Sequence, residues 1–207
     1  MANKVSFKTK LGDLEWVFLQ KGGRDNSVNR DGSKMQYSAT LVVDTESPEC
    51  KAMEAELKKI WNDIKQECGF KQIQPKSLGN KVLKDRETGE PIGRTAFIFK
   101  TNAKMPDGKD VEIKIYNARG EEVSLGDTMI GNGSKGIIHG EAALYEFQGS
   151  RGITLYLKAI QLVKLNKYSG GDVDAEDLTV QYPDAFGETF DPFIGVTPVA
   201  PINDVEL

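Results

Sequence analysis

Histidine and cysteine are nearly absent from this 207-residue chain, which has one His and two Cys. A zinc site built from Cys and His alone is thereby excluded. A triad that needs an imidazole base has a single candidate, His139, set beside Gly140 in an apolar stretch. No two carboxylates share a predicted pocket wall, and no nucleophile, base and orienting group come together in the pattern. The chain is therefore read as non-enzymatic, with no catalytic residue, no metal and no cofactor. Long apolar runs are lacking too: none approaches the roughly 18 residues of a membrane helix. The opening MANKVSFKTK has no apolar centre of a signal peptide. These absences predict a soluble, cytoplasmic protein with no membrane partner.

Basic residues are missing from one end. Between Gly171 and Leu207 there are nine acids and no Lys or Arg. All 27 basic residues thus share residues 1–170 with the other 22 acids, a net charge of +5 against −4 for the whole chain. Two readings stand side by side: a solubilising tail, or a polyanion-binding body with an acidic segment that competes for its surface. The segment also holds Pro183, Pro192, Pro198 and Pro201, without helical or alternating periodicity, so little of it should fold alone. Phe186, Phe190, Phe193 and Ile194 are out of place in a mere linker and point to docking, on the chain's own body or on a partner. The expected organisation is a folded domain over 1–170 and an extended, largely disordered acidic C-terminal tail over 171–207.

With 39% hydrophobic residues, the body can form a core, and it reads as strands around one helix. Val5-Ser6-Phe7 and Leu14 to Leu19 form an opening strand pair around the turn Leu11-Gly12-Asp13. KGGRDNSVNRDGSK (21–34) is a polar loop, and MQYSATLVV (35–43) alternates, with Tyr37, Ala39, Leu41 and Val43 on one face. Ser47-Pro48-Glu49 then supplies a cap, a proline at the first helical position and an acid in the first turn. Met53, Leu57, Ile60, Trp61 and Ile64 make one apolar stripe until Gly69 ends the helix, so Trp61 reads as core. Cys50 and Cys68 lie about 27 Å apart along it, at 1.5 Å per residue, and are reduced thiols rather than a pair.

Further strands follow. GRTAFIFKT (93–101) and VEIKIY (111–116) flank Met105-Pro106-Asp107-Gly108, a hairpin signal. Two long strands, 134–147 and 152–165, close the body, and Gly136 and Gly140 inside the first predict bent strands around a small barrel. The expected fold class is mainly β: an OB-like antiparallel barrel with one inserted α-helix.

Alternation also separates inside from outside. In VEIKIY, Lys114 and Tyr116 oppose Val111, Ile113 and Ile115; in GITLYLKA, Thr154, Tyr156 and Lys158 oppose Ile153, Leu155, Leu157 and Ala159. Phe97 and Phe99 share a face and read as core. Lysines interleaved with rings on outward strand faces suit single-stranded nucleic acid, because cations neutralise phosphates and rings stack on bases. The loop Ile130–Gly136 is a second candidate, its glycines permitting close approach of a phosphate and Lys135 adding charge. It lacks the P-loop spacing, and a plain turn is the alternative.

The order YSATLVV, capped helix, FIFKTNAK, DGK, VEIKIYNARG, IGNGSKGIIHGEAALYEF and GITLYLKAIQLVKL resembles bacteriophage single-stranded DNA-binding proteins over most of residues 35–166. The resemblance implies a single OB fold with a helix between strands, a role in phage DNA replication, recombination and repair, and a location in the host cell cytoplasm. It implies a DNA groove at Lys100, Lys104, Lys114, Tyr116, Lys135, Tyr156 and Lys158, with Tyr37 and Arg94 at its margin. It also implies recruitment of a DNA polymerase, helicase or recombination protein through the tail, here Asp184, Glu188, Asp191, Asp204, Glu206 and Leu207. The chain departs from the family at its end, NDVEL, where well-known members have a dense acidic run and an aromatic residue. Residues 178–182 could pair with a strand edge of a second subunit, which leaves a homodimer open. The rival reading is a phage structural or assembly β-barrel without nucleic-acid binding, which leaves the confinement of basic residues to the body unexplained. RNA binding also stays open, since stacking platforms accept both sugars.

Overall fold

The computed structural model describes residues 4–20, 22–27, 30–69 and 73–168; the acidic segment 171–207 lies outside them. The strands are β1 (Val5–Lys8), β2 (Gly12–Phe18), β3 (Arg24–Asp25), β4 (Met35–Asp44), β5 (Asn80–Lys84), β6 (Pro91–Asn102), β7 (Lys114–Tyr116), β8 (Ser134–Phe147) and β9 (Ser150–Lys164). Among the described residues one helix, α1 (Pro48–Glu67), joins β4 to the β5–β6 hairpin. Strands β2, β4, β6, β9 and β8 pair in that order and β8 returns to β2, closing a five-stranded barrel of OB type. Its pairings are antiparallel except β6 with β9, which run parallel at Phe99 and Leu155.

Helix α1 forms where its capping chemistry predicts. The Ser47 hydroxyl accepts the Cys50 N–H at 3.1 Å, satisfying one of the donors that a helix start leaves open. Cys50, Met53, Leu57, Ile60, Trp61 and Ile64 are buried on one stripe and join the barrel core. Burying each large side chain of this kind contributes about 1.5–3 kcal/mol relative to exposure. Cys50 is buried and Cys68 exposed at the far end, and both are free thiols. Phe97 and Phe99 are fully buried, and Phe99 stacks on Phe7 with centroids 6.1 Å apart.

Two local expectations are corrected. Strands β1 and β2 do not pair with each other; both lie against one edge of β8, β2 along Ser134–Gly136 and β1 along His139–Ala142. The hairpin expected between 93–101 and 111–116 reduces to a Lys104–Asp110 bridge, because β7 turns away to run parallel to β9. Strand β5 carries no clear alternation in the sequence, because it pairs with β6 but stays largely exposed.

Gly140 explains how closely the long ribbon packs against Phe99. A β-carbon there would collide with the Tyr156 carbonyl oxygen and come within 2.8 Å of the Phe99 ring. Only a residue without one lets β8 approach β9 and Phe99 this closely. Gly140→Ala should therefore cost about 1–3 kcal/mol through overpacking. Urea unfolding followed by far-UV circular dichroism would measure it, and an unchanged midpoint would refute the close-approach role.

Candidate nucleic-acid interface

The outward positions of β7, β9, β8 and β1 form one continuous surface. Across β7 and β9, Lys114 lies beside Ala159 and Tyr116 beside Gln161. Across β9 and β8, Tyr156 faces Glu141, Ala159 faces His139, Gln161 faces Ile137 and Lys164 faces Lys135. Across β8 and β1, His139 lies beside Lys8 and Glu141 beside Ser6. Exposed Lys100 borders this surface from β6, one residue beyond the buried Phe99 that pairs with Leu155.

A bulge sharpens the surface and corrects one assignment. His139 pairs with Ala159 and Gly140 with Leu157, so Lys158 is an extra residue on β9. The bulge shifts the parity of the next four residues: Ile160 and Leu162 take the core positions, while Ala159, expected inside, joins the outer face with Gln161. A second extra residue, Val163, then restores the original parity and sets Lys164 opposite Lys135.

Most of the cations are already matched by acids. The Lys114 ammonium donates to Glu122 at 2.9 Å, which holds its pKa above the usual lysine value, with the Glu122 charge as the next cause. Glu141 lies 3.3 Å from Lys158 and 3.5 Å from Lys4, and the Lys4 ammonium also sits 4.8 Å from the Tyr156 ring centroid. Asp13 pairs with both Lys135 and Arg94, and Arg94 reaches Glu15 at 3.5 Å. Lys100 forms no ion pair with a described residue. Pairs this exposed contribute at most about 1 kcal/mol, so a phosphate can take the place of a carboxylate at small cost.

Six of the residues expected at a groove, Lys100, Lys114, Tyr116, Lys135, Tyr156 and Lys158, are thus brought onto or beside one surface. Arg94 projects from the outer face of β2, β4 and β6, tied to Asp13 and Glu15. Lys104 sits in the exposed turn after β6, 3.7 Å from Asp110. Tyr37 is a correction: it shares the parity of Ala39 and Leu41, is buried, and its hydroxyl accepts the Gly22 N–H at 3.3 Å. Asp184, Glu188, Asp191, Asp204, Glu206 and Leu207 lie outside the described residues. Sequence reasoning missed Lys4, Lys8, His139 and Lys164 on this surface. For the first two the signal was present, in the outward Lys-x-Ser-x-Lys alternation around the inward Phe7.

Among the described residues no group of His, Cys, Asp and Glu is placed to hold a metal ion, and no helix is long and apolar enough to cross a membrane.

No family model and no curated protein matches this chain. Solved structures do. The single-stranded DNA-binding protein gp2.5 encoded by bacteriophage T7 superposes with a TM-score of 0.60 at 20% identity, over 88% of this chain and 100% of its own. The single-stranded DNA-binding protein from bacteriophage Enc34, in complex with ssDNA, has a TM-score of 0.52 at 16% identity, over 80% of this chain and 89% of its own. A C-terminal truncation of the Enc34 protein gives 0.51 at 16% identity, over 78% and 86%. The barrel described above is the fold of these phage proteins.

His139, the only histidine, reports on the middle of the surface. Partial burial, and then the charge of Lys8, lower its pKa below the usual value of 6.5. In a proton NMR titration its midpoint should lie below that of an exposed histidine, and Lys8→Gln should raise it. The unfolded chain then binds more protons between the two pKa values, so stability falls as pH drops through that window. A midpoint at or above the ordinary value would refute the partial burial of His139 beside Lys8.

Proposed function

We propose that this chain binds single-stranded DNA with little sequence preference, as a non-enzymatic accessory of phage DNA replication, recombination and repair in the host cytoplasm. The observation that carries the reading is the single outward surface on which Lys114, Lys158, Lys135 and Lys100 alternate with Tyr116 and Tyr156. Phosphates sit on the ammonium groups and unstacked bases on the rings, at about 1–3 kcal/mol per stacked base. Arg94 and Lys104 extend the positive rim. The likeness of the barrel to phage proteins that bind single strands supports the same reading.

The charge division adds a regulatory element. Residues 1–170 form the DNA-binding domain, and the acidic segment 171–207 competes with DNA for the basic surface. Displaced by DNA, that segment becomes available to a polymerase, helicase or recombination protein.

Fluorescence anisotropy of a labelled oligo-dT, with duplex and poly-U competitors, tests the core of this. Salt-sensitive binding that duplex barely competes for is the expected result. No binding at low salt, by the full chain or by residues 1–170, would favour a structural module instead. Lys100→Ala should lower the slope of log affinity against log salt by about 0.7, the value of one single-strand phosphate contact. Tyr116→Ala should weaken binding roughly 5- to 150-fold with the slope intact. Removing 171–207 should tighten binding most at low salt, where screening is weakest, and equal affinity at every salt concentration would end the competition idea.

A further inference from the structure

Trp16 occupies a backbone conformation that its side chain disfavours. Its φ is 49°, in the left-handed region where a bulky residue other than glycine is a genuine outlier. The cause is a bulge in β2: the register with β4 shifts between Glu15 and Phe18, and the Trp16 N–H donates to the Asn132 side-chain oxygen at 2.8 Å. The bulge turns the indole outward, so that Trp16 is 43% exposed beside the buried Leu14 and Val17. The molecule thus combines a strained backbone with an exposed indole, neither of which serves the core. Strain held in place by surrounding structure is a pointer to function when an observed outlier, as here, comes first.

The surroundings say what the indole meets. Trp16, Phe18, Met129 and Tyr168 line an open cavity of about 470 Å³, with Asn166 and Lys167 at its rim. The Arg24 guanidinium lies 4.6 Å from the Phe18 ring centroid. The cavity begins where the β8–β9 surface ends, just past Lys164 and Lys135. A second depression shares Val17, Met129 and Ile130 with it and extends to Lys114. Rings flanked by cations, continuous at two points with the proposed DNA surface, match an unstacked base with its phosphate.

We infer that Trp16 is a base-stacking anchor, and that the Trp16–Phe18–Tyr168 cavity is a second subsite that takes a nucleobase of the bound strand beyond the β7–β9–β8–β1 surface. Arg24 and Lys167 serve the adjoining phosphates. This rests on the single-strand reading above and extends the strand's path around the barrel.

The two tryptophans make the test selective, because Trp61 is buried in the helix stripe while Trp16 is exposed. The full chain is titrated with an oligo-dT of about 16 nucleotides, the upper site size of one OB fold. Tryptophan emission and the anisotropy of a labelled copy are recorded in parallel, with thermal melts of each variant. Wild type should be quenched on binding. Trp16→Phe should keep most of the affinity, since a ring remains, but lose the quenching. Trp16→Ala should bind roughly 5- to 150-fold more weakly with an unchanged salt slope.

Equal affinity in Trp16→Ala, or undiminished quenching in Trp16→Phe, would overturn the subsite while leaving single-strand binding intact. Wild type that produces no anisotropy change would overturn both. An emission change on removing 171–207 without DNA, and none on adding DNA to the full chain, would assign the cavity to the chain's own C-terminal segment and overturn the proposal.

Discussion

The ladder between β8 and β9 runs from Lys135–Lys164 to Phe147–Ser150, and everything else is hung on its two edges. Strand β8 accepts β2 and then β1 along one side; β9 accepts β6 and then β7 along the other. Closure through this ribbon leaves the barrel without a long free edge, which is how small β proteins avoid pairing with their neighbours. It demands close approach, and Gly140 and the Lys158 bulge supply it. The same bulge brings Lys158 out over Glu141 and returns Ile160 to the core. Closure and surface chemistry therefore share one irregularity.

The electrostatics follow from that geometry. Strands alternate, so every apolar residue given to the barrel interior sets its neighbours outside; in β1, β7 and β9 those neighbours include Lys8, Lys114, Tyr116 and Tyr156, and Lys4 just before β1 continues the pattern. Left alone, such a surface would repel itself; Glu122, Glu141 and Asp13 offset much of the charge. These exposed pairs are weak, and a polyanion that supplies many phosphates at once can displace them while releasing its own counterions. A ready-paired surface is thus compatible with tight binding and with sensitivity to salt.

Much of the fold was legible because its signals are local. The Ser47-Pro48-Glu49 cap and the Met53–Ile64 stripe specify α1 almost to the residue, and the long alternating runs at 134–147 and 152–165 announce the closing ribbon. What escaped had no local signal. Strand β5 is barely buried, and β7 pairs with a strand more than forty residues later in the chain. Tyr37 could be placed on the face of Ala39 and Leu41 from the sequence, yet that this face points into the barrel depends on β2 and β6 flanking it.

By itself, then, the sequence determined the helix, the alternating faces, the division of charge between body and C-terminal segment, and the exclusion of a zinc site built from Cys and His alone. These depend on spacing between near neighbours, which a chain cannot hide. Only the tertiary structure decided which outward faces adjoin, that Lys4 lies over Tyr156, that the parity of β9 changes at Lys158, and that Trp16 is turned out of β2. Each of these is set by register between strands far apart in sequence, where a single extra residue redirects every side chain beyond it.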